Sequence, residues 1–237
     1  MKPAISFSAS RETTESGVPK PLQLRHAQEV ARQSLVNVGG VSYPLHQRAA
    51  LWCNLGKDRD DAVSFEFNRQ HPYGDCRFDQ DLSFLASREL DDDESNPPII
   101  LLERLTWELV ASLLFFSRFV QAHNRPGLFR IGLGLSDLID TQFDWAGFEN
   151  NPDVDEVLTV WRFKPMHNRV CYEVPHVAFP IVEDDLVQAV TDVIADASQS
   201  VKGIRLSATK HYESRLELTR HSIDRVARLA LTTALIK

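Results

Sequence analysis

Residues 99–123, IILLERLTWELVASLLFFSRFVQAH, limit the possible folds more than any other stretch of the chain. They are apolar on most faces, broken by the charges Glu103, Arg104, Glu108 and Arg118. A helix that is apolar nearly all round has to be buried. No apolar run in the chain approaches the ~18–20 residues that cross a bilayer. The segment therefore reads as the central core helix of a globular protein. Asn124 to Gly127 end it, and LFRIGLGL at 128–135 follows as a strand.

Just upstream, ELDDDESNPP at 89–98 reads as a loop. Its run of acids repels itself, and Pro97-Pro98 cannot sit inside a helix. This loop is the natural boundary between two halves. Residues 22–95 are expected as an N-terminal α+β half and 96–237 as a C-terminal α/β half, either as its own unit or as one domain with the first. A chain of 237 residues allows both arrangements. Residues 1–21, rich in Ser, Thr, Glu and Pro without sustained periodicity, are expected as a flexible tail.

Other elements follow from period. Residues 22–36 suit an amphipathic helix, stopped by Gly39-Gly40. AVSFEFN at 62–68 alternates as a half-buried strand, HPYGD at 71–75 is a turn, and a second strand lies within 76–88. Residues 137–156 carry seven acids and no base, and read as a surface connection. Residues 157–163 and 169–182 read as strands around an MHN turn, 183–198 as a helix opening on three acids, 201–207 as a further strand, and 214–236 as a final helix. The fold expected is α/β, with α+β as the alternative. It has a mixed sheet, mostly antiparallel in its first half, with the long helix packed on it and a helix at the C-terminus.

Composition narrows the function classes. The chain is 43% hydrophobic and 25% charged, ordinary values for a globular domain. Its formal net charge of −7 disfavours a protein that coats nucleic acid or anionic membrane. Cys53, Cys76 and Cys171 form no CxxC pair, and an odd count points away from a disulfide framework. With no apolar leader of secretory type at the N-terminus, a cytoplasmic location is expected.

Four constellations bear on chemistry. His71-x4-Cys76 and Cys171-x4-His176 are mirror-image pairs that together offer the two Cys and two His of a zinc site. On one straight strand, however, Cys171 and His176 face opposite sides, and a free Cys is commonly a small buried hydrophobe. Cys76 beside Arg77 has one neighbour that lowers a thiol pKa, with no catalytic context around it. Gly132-x-Gly134 opens like a dinucleotide-binding turn, but Asp137 stands where the third glycine belongs. Loop geometry or helix packing is therefore expected of these glycines. Asp137, Asp140 and Asp144 would share one face of a helix and hold Mg²⁺ there, or simply form a solvated face. No cofactor is expected.

The basic C-terminus is the informative charge feature. Residues 202–237 carry eight basic side chains against three acidic ones. His221, Arg225 and Arg228 share a face of the last helix at i, i+4, i+7 spacing. Such a face is either solvated, paired with the acidic 137–156 connection, or a site for an acidic protein surface or a nucleic-acid backbone.

The long apolar helix, the HNRPG turn, the strand ending in LGLSD, and the later VPHVAFPIVEDDL leading into a helix form a pattern over about half the chain. It resembles the trailing domain found behind Schlafen-type, AlbA-like DNA-binding domains in bacterial proteins. The resemblance implies a sensor or partner-binding domain without chemistry of its own and assigns no functional residue. A non-enzymatic binding or regulatory domain is thus the expected function. The alternative is a metal-dependent hydrolase or nuclease-like enzyme acting on phosphoester or nucleotide substrates.

Overall fold

The first strand already sets the architecture. In a computed structural model that describes residues 3–12, 29–30, 33–34, 36–38, 41–43, 62–66, 74–79, 82–89, 99–138, 142–144, 169–202 and 210–235, strand β1 covers Ala4–Arg11. Ile5, Phe7 and Ala9 are buried, while Ser6, Ser8 and Ser10 point the other way. The expectation of a flexible tail at 1–21 is corrected for these residues. Small serines mask the alternation, but period two with every second side chain apolar is a strand signal regardless of the size of the polar partners.

Strands β2 (Val36–Val38) and β3 (Val41–Tyr43) form a short antiparallel pair, with residues 29, 30 and 33 helical before it. The rest of the helix expected at 22–36 lies outside the described residues, and Val36 already belongs to a strand. Strands β4 (Ala62–Glu66), β5 (Gly74–Asp79) and β6 (Phe84–Glu89) follow, so the second strand expected within 76–88 is in fact two. Strand β7 (Ile99–Leu101) precedes helix α1 (Leu102–Ala122), which leads into β8 (Gly127–Ser136), β9 (Gln142–Asp144) and β10 (Val170–Phe179). Helices α2 (Glu183–Lys202) and α3 (Lys210–Leu235) complete the chain. The strand expected at 157–163 lies outside the described residues, as does the one expected at 201–207 apart from Val201 and Lys202, which are helical.

The main sheet has six strands in the order β10-β8-β1-β6-β5-β4, every pairing antiparallel. Among the described residues the one parallel pairing, β7 with β9, lies outside this sheet. Strands from both expected halves join one sheet through β1, with β8 and β10 on one side of it and β6, β5 and β4 on the other. The halves therefore share one core, which runs from Ile5 to Ala234. The protein is of mixed α and β content.

Helix α1 leads from β7 to β8 and packs its rings against β6, β8 and β10 of the main sheet. Leu109, Val110, Leu113, Phe116, Phe119 and Val120 are fully buried, whereas Trp107 is only partly so. Phe116 stands edge-on to Phe129 of β8 and Phe179 of β10, with ring centroids 5.1 and 4.9 Å apart, and stacks on Phe84 of β6 at 5.7 Å. Tilted aromatic pairs add ~0.5–1.5 kcal/mol each beyond area burial. Helix α2 packs on β10 and α1, and α3 on α1 and α2.

Helix α1 ends in a backbone cap. Asn124 adopts a left-handed φ of 50°, its N–H donates to Gln121 O at 2.9 Å, and the Arg125 N–H donates to Val120 O at 3.2 Å. This crossed pair of bonds satisfies carbonyls that the last turn leaves open. It also fixes the Arg125-Pro126 turn against the start of β8.

Candidate functional site

The two zinc half-sites do not meet. Cys76 lies on β5 and Cys171 on β10, with β6, β1 and β8 between them. At about 4.8 Å per strand, four steps separate them by roughly 19 Å, far beyond any shared coordination sphere. His71 lies outside the described residues. Among the described residues no three His, Cys, Asp or Glu side chains converge as a metal site. The aspartate face is also corrected. Asp137 follows β8 with a left-handed φ of 56°, and Asp144 belongs to β9, so they share no helix; Asp140 lies outside the described residues.

Gly132 and Gly134 serve neither a loop nor helix packing. Both sit mid-strand on the outer face of β8, opposite Ser8 and Ser6 of β1. A Cβ at either position would collide with the facing serine hydroxyl. The glycines let the serine side chains fold down onto the sheet.

On α3, Arg228 is held within the chain. Its Nη1 donates to Asp184 Oδ1 and its Nε to Asp224 Oδ2, both at 3.0 Å. Hydrogen bonds to Asp224 and then Asp184 hold its pKa above the ordinary arginine range. Arg220 is likewise paired with Asp192 of α2. These partners are acids of α2 and of α3 itself; most of the acidic connection at 137–156 lies outside the described residues. His221 and Arg225 are exposed. The face survives in position, but one of its three members is already bound twice.

His176 is placed by an irregularity of β10. Tyr172 and Val174 face the core side, then the register with β8 shifts and Val177 and Phe179 resume facing it. One extra residue is absorbed between Val174 and Val177 as a β-bulge. The bulge reverses the phase, so Cys171 and His176 come to share the outer face instead of facing opposite sides. About 15 Å of strand still separates them. His176 takes a left-handed φ of 61°. Its imidazole reaches across β8, where Nδ1 stands 2.6 Å from Glu12 Oε2.

Around this pair stand two more charges. Arg130 of β8 lies with Nε 3.8 Å from Glu12 Oε1 and Nη1 3.6 Å from Glu173 Oε2. Glu12 is anchored by its backbone, whose N–H donates to Leu128 O at 2.9 Å. The Glu12 side chain is largely covered at 19% exposure, whereas the His176 side chain is 74% exposed. The carboxylate is the fixed member, and the ring is the part presented. With Nδ1 committed to Glu12, Nε2 is left as an acceptor in the neutral ring or a second donor in the charged one. Sequence reasoning singled out His176 for another role and missed Glu12, which falls in the supposed tail.

A second ionic cluster is internal. Glu108 of α1 accepts from Arg88 of β6 at 3.3 Å and from Arg104 at 3.0 Å. Beside it a small cavity is lined by Ile5, Phe7, Ala86 and Ser112. Glu108 is 1% exposed, and both of its carboxylate oxygens bond to arginine, so it has no open position for a ligand.

Compared with family models, with curated proteins and with solved structures, the chain matches none. Among the described residues no helix is long and apolar enough to cross a membrane.

Proposed function

We propose that the chain is a binding or regulatory domain without chemistry of its own, and that it engages its ligand or partner at the Glu12–His176 end of the sheet. The observation that carries this reading is the presentation of His176. A left-handed backbone costs a non-glycine residue about 1–2 kcal/mol. An exposed ion pair returns only ~0–1 kcal/mol. With the ring 74% exposed, packing does not require an imidazole at this position. Local strain that displays a polar group, with no offsetting burial, is the mark of a functional position.

Binding is favoured over catalysis by what surrounds Nε2. Among the described residues no hydroxyl or thiol is hydrogen-bonded to His176, so the ring has an orienting carboxylate but no nucleophile to activate. The resemblance to a bacterial trailing domain points the same way. The rival class, a metal-dependent hydrolase of phosphoesters, draws no support from its acids, because Asp137 and Asp144 sit on different elements.

The test compares the parent with His176→Gly, which suits the left-handed backbone. Both are screened by thermal shift against divalent metals, nucleotides and small anions, and by cross-linking of purified protein to candidate partners. The expected result is a ligand or partner that engages the parent at least tenfold better than the glycine variant. Equal engagement of both proteins, or turnover of a phosphoester by the parent, would overturn the reading.

A further inference from the structure

Two exposed bases at the His176 end of the sheet are tied to one covered acid. Arg130 of β8 stands with Nε 3.8 Å from Glu12 Oε1, and His176 of β10 with Nδ1 2.6 Å from Glu12 Oε2. The Glu12 oxygen on the Arg130 side is buried and accepts no hydrogen bond. The Arg130 side chain is 53% exposed. Its other charged neighbour is Glu173, with Oε2 3.6 Å from Nη1. Both distances exceed the ~2.7–3.2 Å of an N–H···O hydrogen bond. Among the described residues this guanidinium therefore makes two loose ion pairs and no hydrogen bond. Ser10 stands directly opposite Arg130 in the β1–β8 register and is exposed on the same outer face.

Charge and direction together select a ligand class. Two acids, Glu12 and Glu173, against one arginine give −1 while the His176 ring is neutral, and zero once it is protonated. In the protonated ring Nε2 becomes a donor. Its counter-charge, Glu12, sits at the other ring nitrogen and is largely covered. The two bases thus turn N–H groups outward and keep their shared carboxylate inward. A guanidinium fork beside a further N–H donor suits the planar carboxylate and the tetrahedral phosphoryl group alike. Glu173 is exposed and beyond hydrogen-bonding distance, so it is the group that an incoming oxyanion displaces from Arg130.

We propose that Arg130 and the protonated His176 ring hold a small oxyanion, a phosphoryl or carboxylate group, on the outer face of the sheet, with Glu12 as their fixed counter-charge. This rests on the reading of the Glu12–His176 end as a binding site, and it adds Arg130 as the second arm. Binding takes up a proton at His176, so it strengthens as pH falls through the range in which an imidazole gains its charge.

The experiment is a titration of the purified full chain with inorganic sulfate, as the tetrahedral oxyanion, and separately with acetate. Potassium chloride at matched ionic strength is the control. The readouts are thermal shift and the Arg130 Nε–H and His176 ring signals in NMR. Saturable shifts of both signals are expected with at least one anion, and the preferred anion tells a phosphoryl from a carboxylate seat. The parent's affinity should rise from about pH 8 to about pH 6, where neither anion changes its charge but an imidazole does. At the lower pH, Arg130→Gln and His176→Gly should each weaken binding by about tenfold or more, as loss of a charge-assisted hydrogen-bonding partner does. Glu173→Gln should tighten it. Shifts that follow ionic strength alone, an affinity that does not rise as pH falls, or equal binding by the Arg130→Gln/His176→Gly double variant would overturn the proposal. A non-anionic ligand that still prefers the parent over His176→Gly, with Arg130→Gln indifferent to it, would overturn the oxyanion assignment and leave the binding end standing. No preference of any probe for the parent over His176→Gly would overturn both.

Discussion

Arg88 and Glu108 meet inside the protein, 3.1 Å apart, one contributed by β6 and the other by α1. Arg104 shares the same carboxylate from the exposed side of the helix. The cluster ties the central helix to the sheet at its N-terminal end, where aromatic packing is sparse. Buried ion pairs are poor sources of net stability, but removing one partner leaves an uncompensated charge that costs ~3–5 kcal/mol. Glu108→Ala should therefore destabilise by about that much in urea unfolding. The double variant Arg88→Met/Glu108→Leu should recover most of the loss, because Arg104 is partly exposed and can turn to solvent. A single variant within 1 kcal/mol of the parent would show that the cluster is not sealed from water.

Phe116 is the centre of the aromatic core and touches rings from β6, β8 and β10. Truncation to Ala removes three ring contacts and leaves a cavity between helix and sheet. The expected cost is ~3–5 kcal/mol. A soluble Phe116→Ala protein melting within a degree or two of the parent would show that α1 does not carry the core.

For His176 the prediction separates backbone strain from side-chain contact. His176→Gly loses the bond to Glu12 but relieves the left-handed φ, so it should unfold within about 1 kcal/mol of the parent. His176→Ala loses the bond and keeps the strain, and should be less stable than the glycine variant by about 1 kcal/mol. Equal stability of the two variants would mean that the bulge relaxes without the histidine, and that the strain is not intrinsic to the loop.

The larger elements were legible because their periods are long and apolar: α1, α2, α3, β4, β8 and β10 all stand within a few residues of where periodicity puts them. β1 was not, because Ser6, Ser8 and Ser10 make it look like a low-complexity tail, and its apolar side includes an alanine. The bulge in β10 is visible in retrospect, since Tyr172 and Val174 fall on one phase and Val177 and Phe179 on the other. Period two with a one-residue slip is the sequence trace of a bulge. The functional candidate was the least legible part. It brings Glu12, just after β1, to His176 more than a hundred positions later, and no local pattern encodes such a pairing. The basic face of α3 was legible as a pattern, but its neutralisation by Asp184 depends on how α2 docks.

Glu103 gives a prediction in pH. It stands in the first turn of α1, where the helix dipole favours a negative charge. Burial works against that charge and wins, since the Glu103 carboxyl is held above its ordinary pKa. The folded protein therefore binds this proton more tightly than the unfolded chain does. The contribution of Glu103 is most favourable below the unfolded-state pKa and declines as pH rises through the raised folded-state value. Glu103→Gln cannot titrate and lacks this decline. In urea unfolding measured from about pH 4 to pH 7, the stability of Glu103→Gln relative to the parent should therefore increase with pH. A difference that stays flat across that range, or that moves against the variant as pH rises, would mean that solvent and the helix N-terminus stabilise the carboxylate better than burial penalises it.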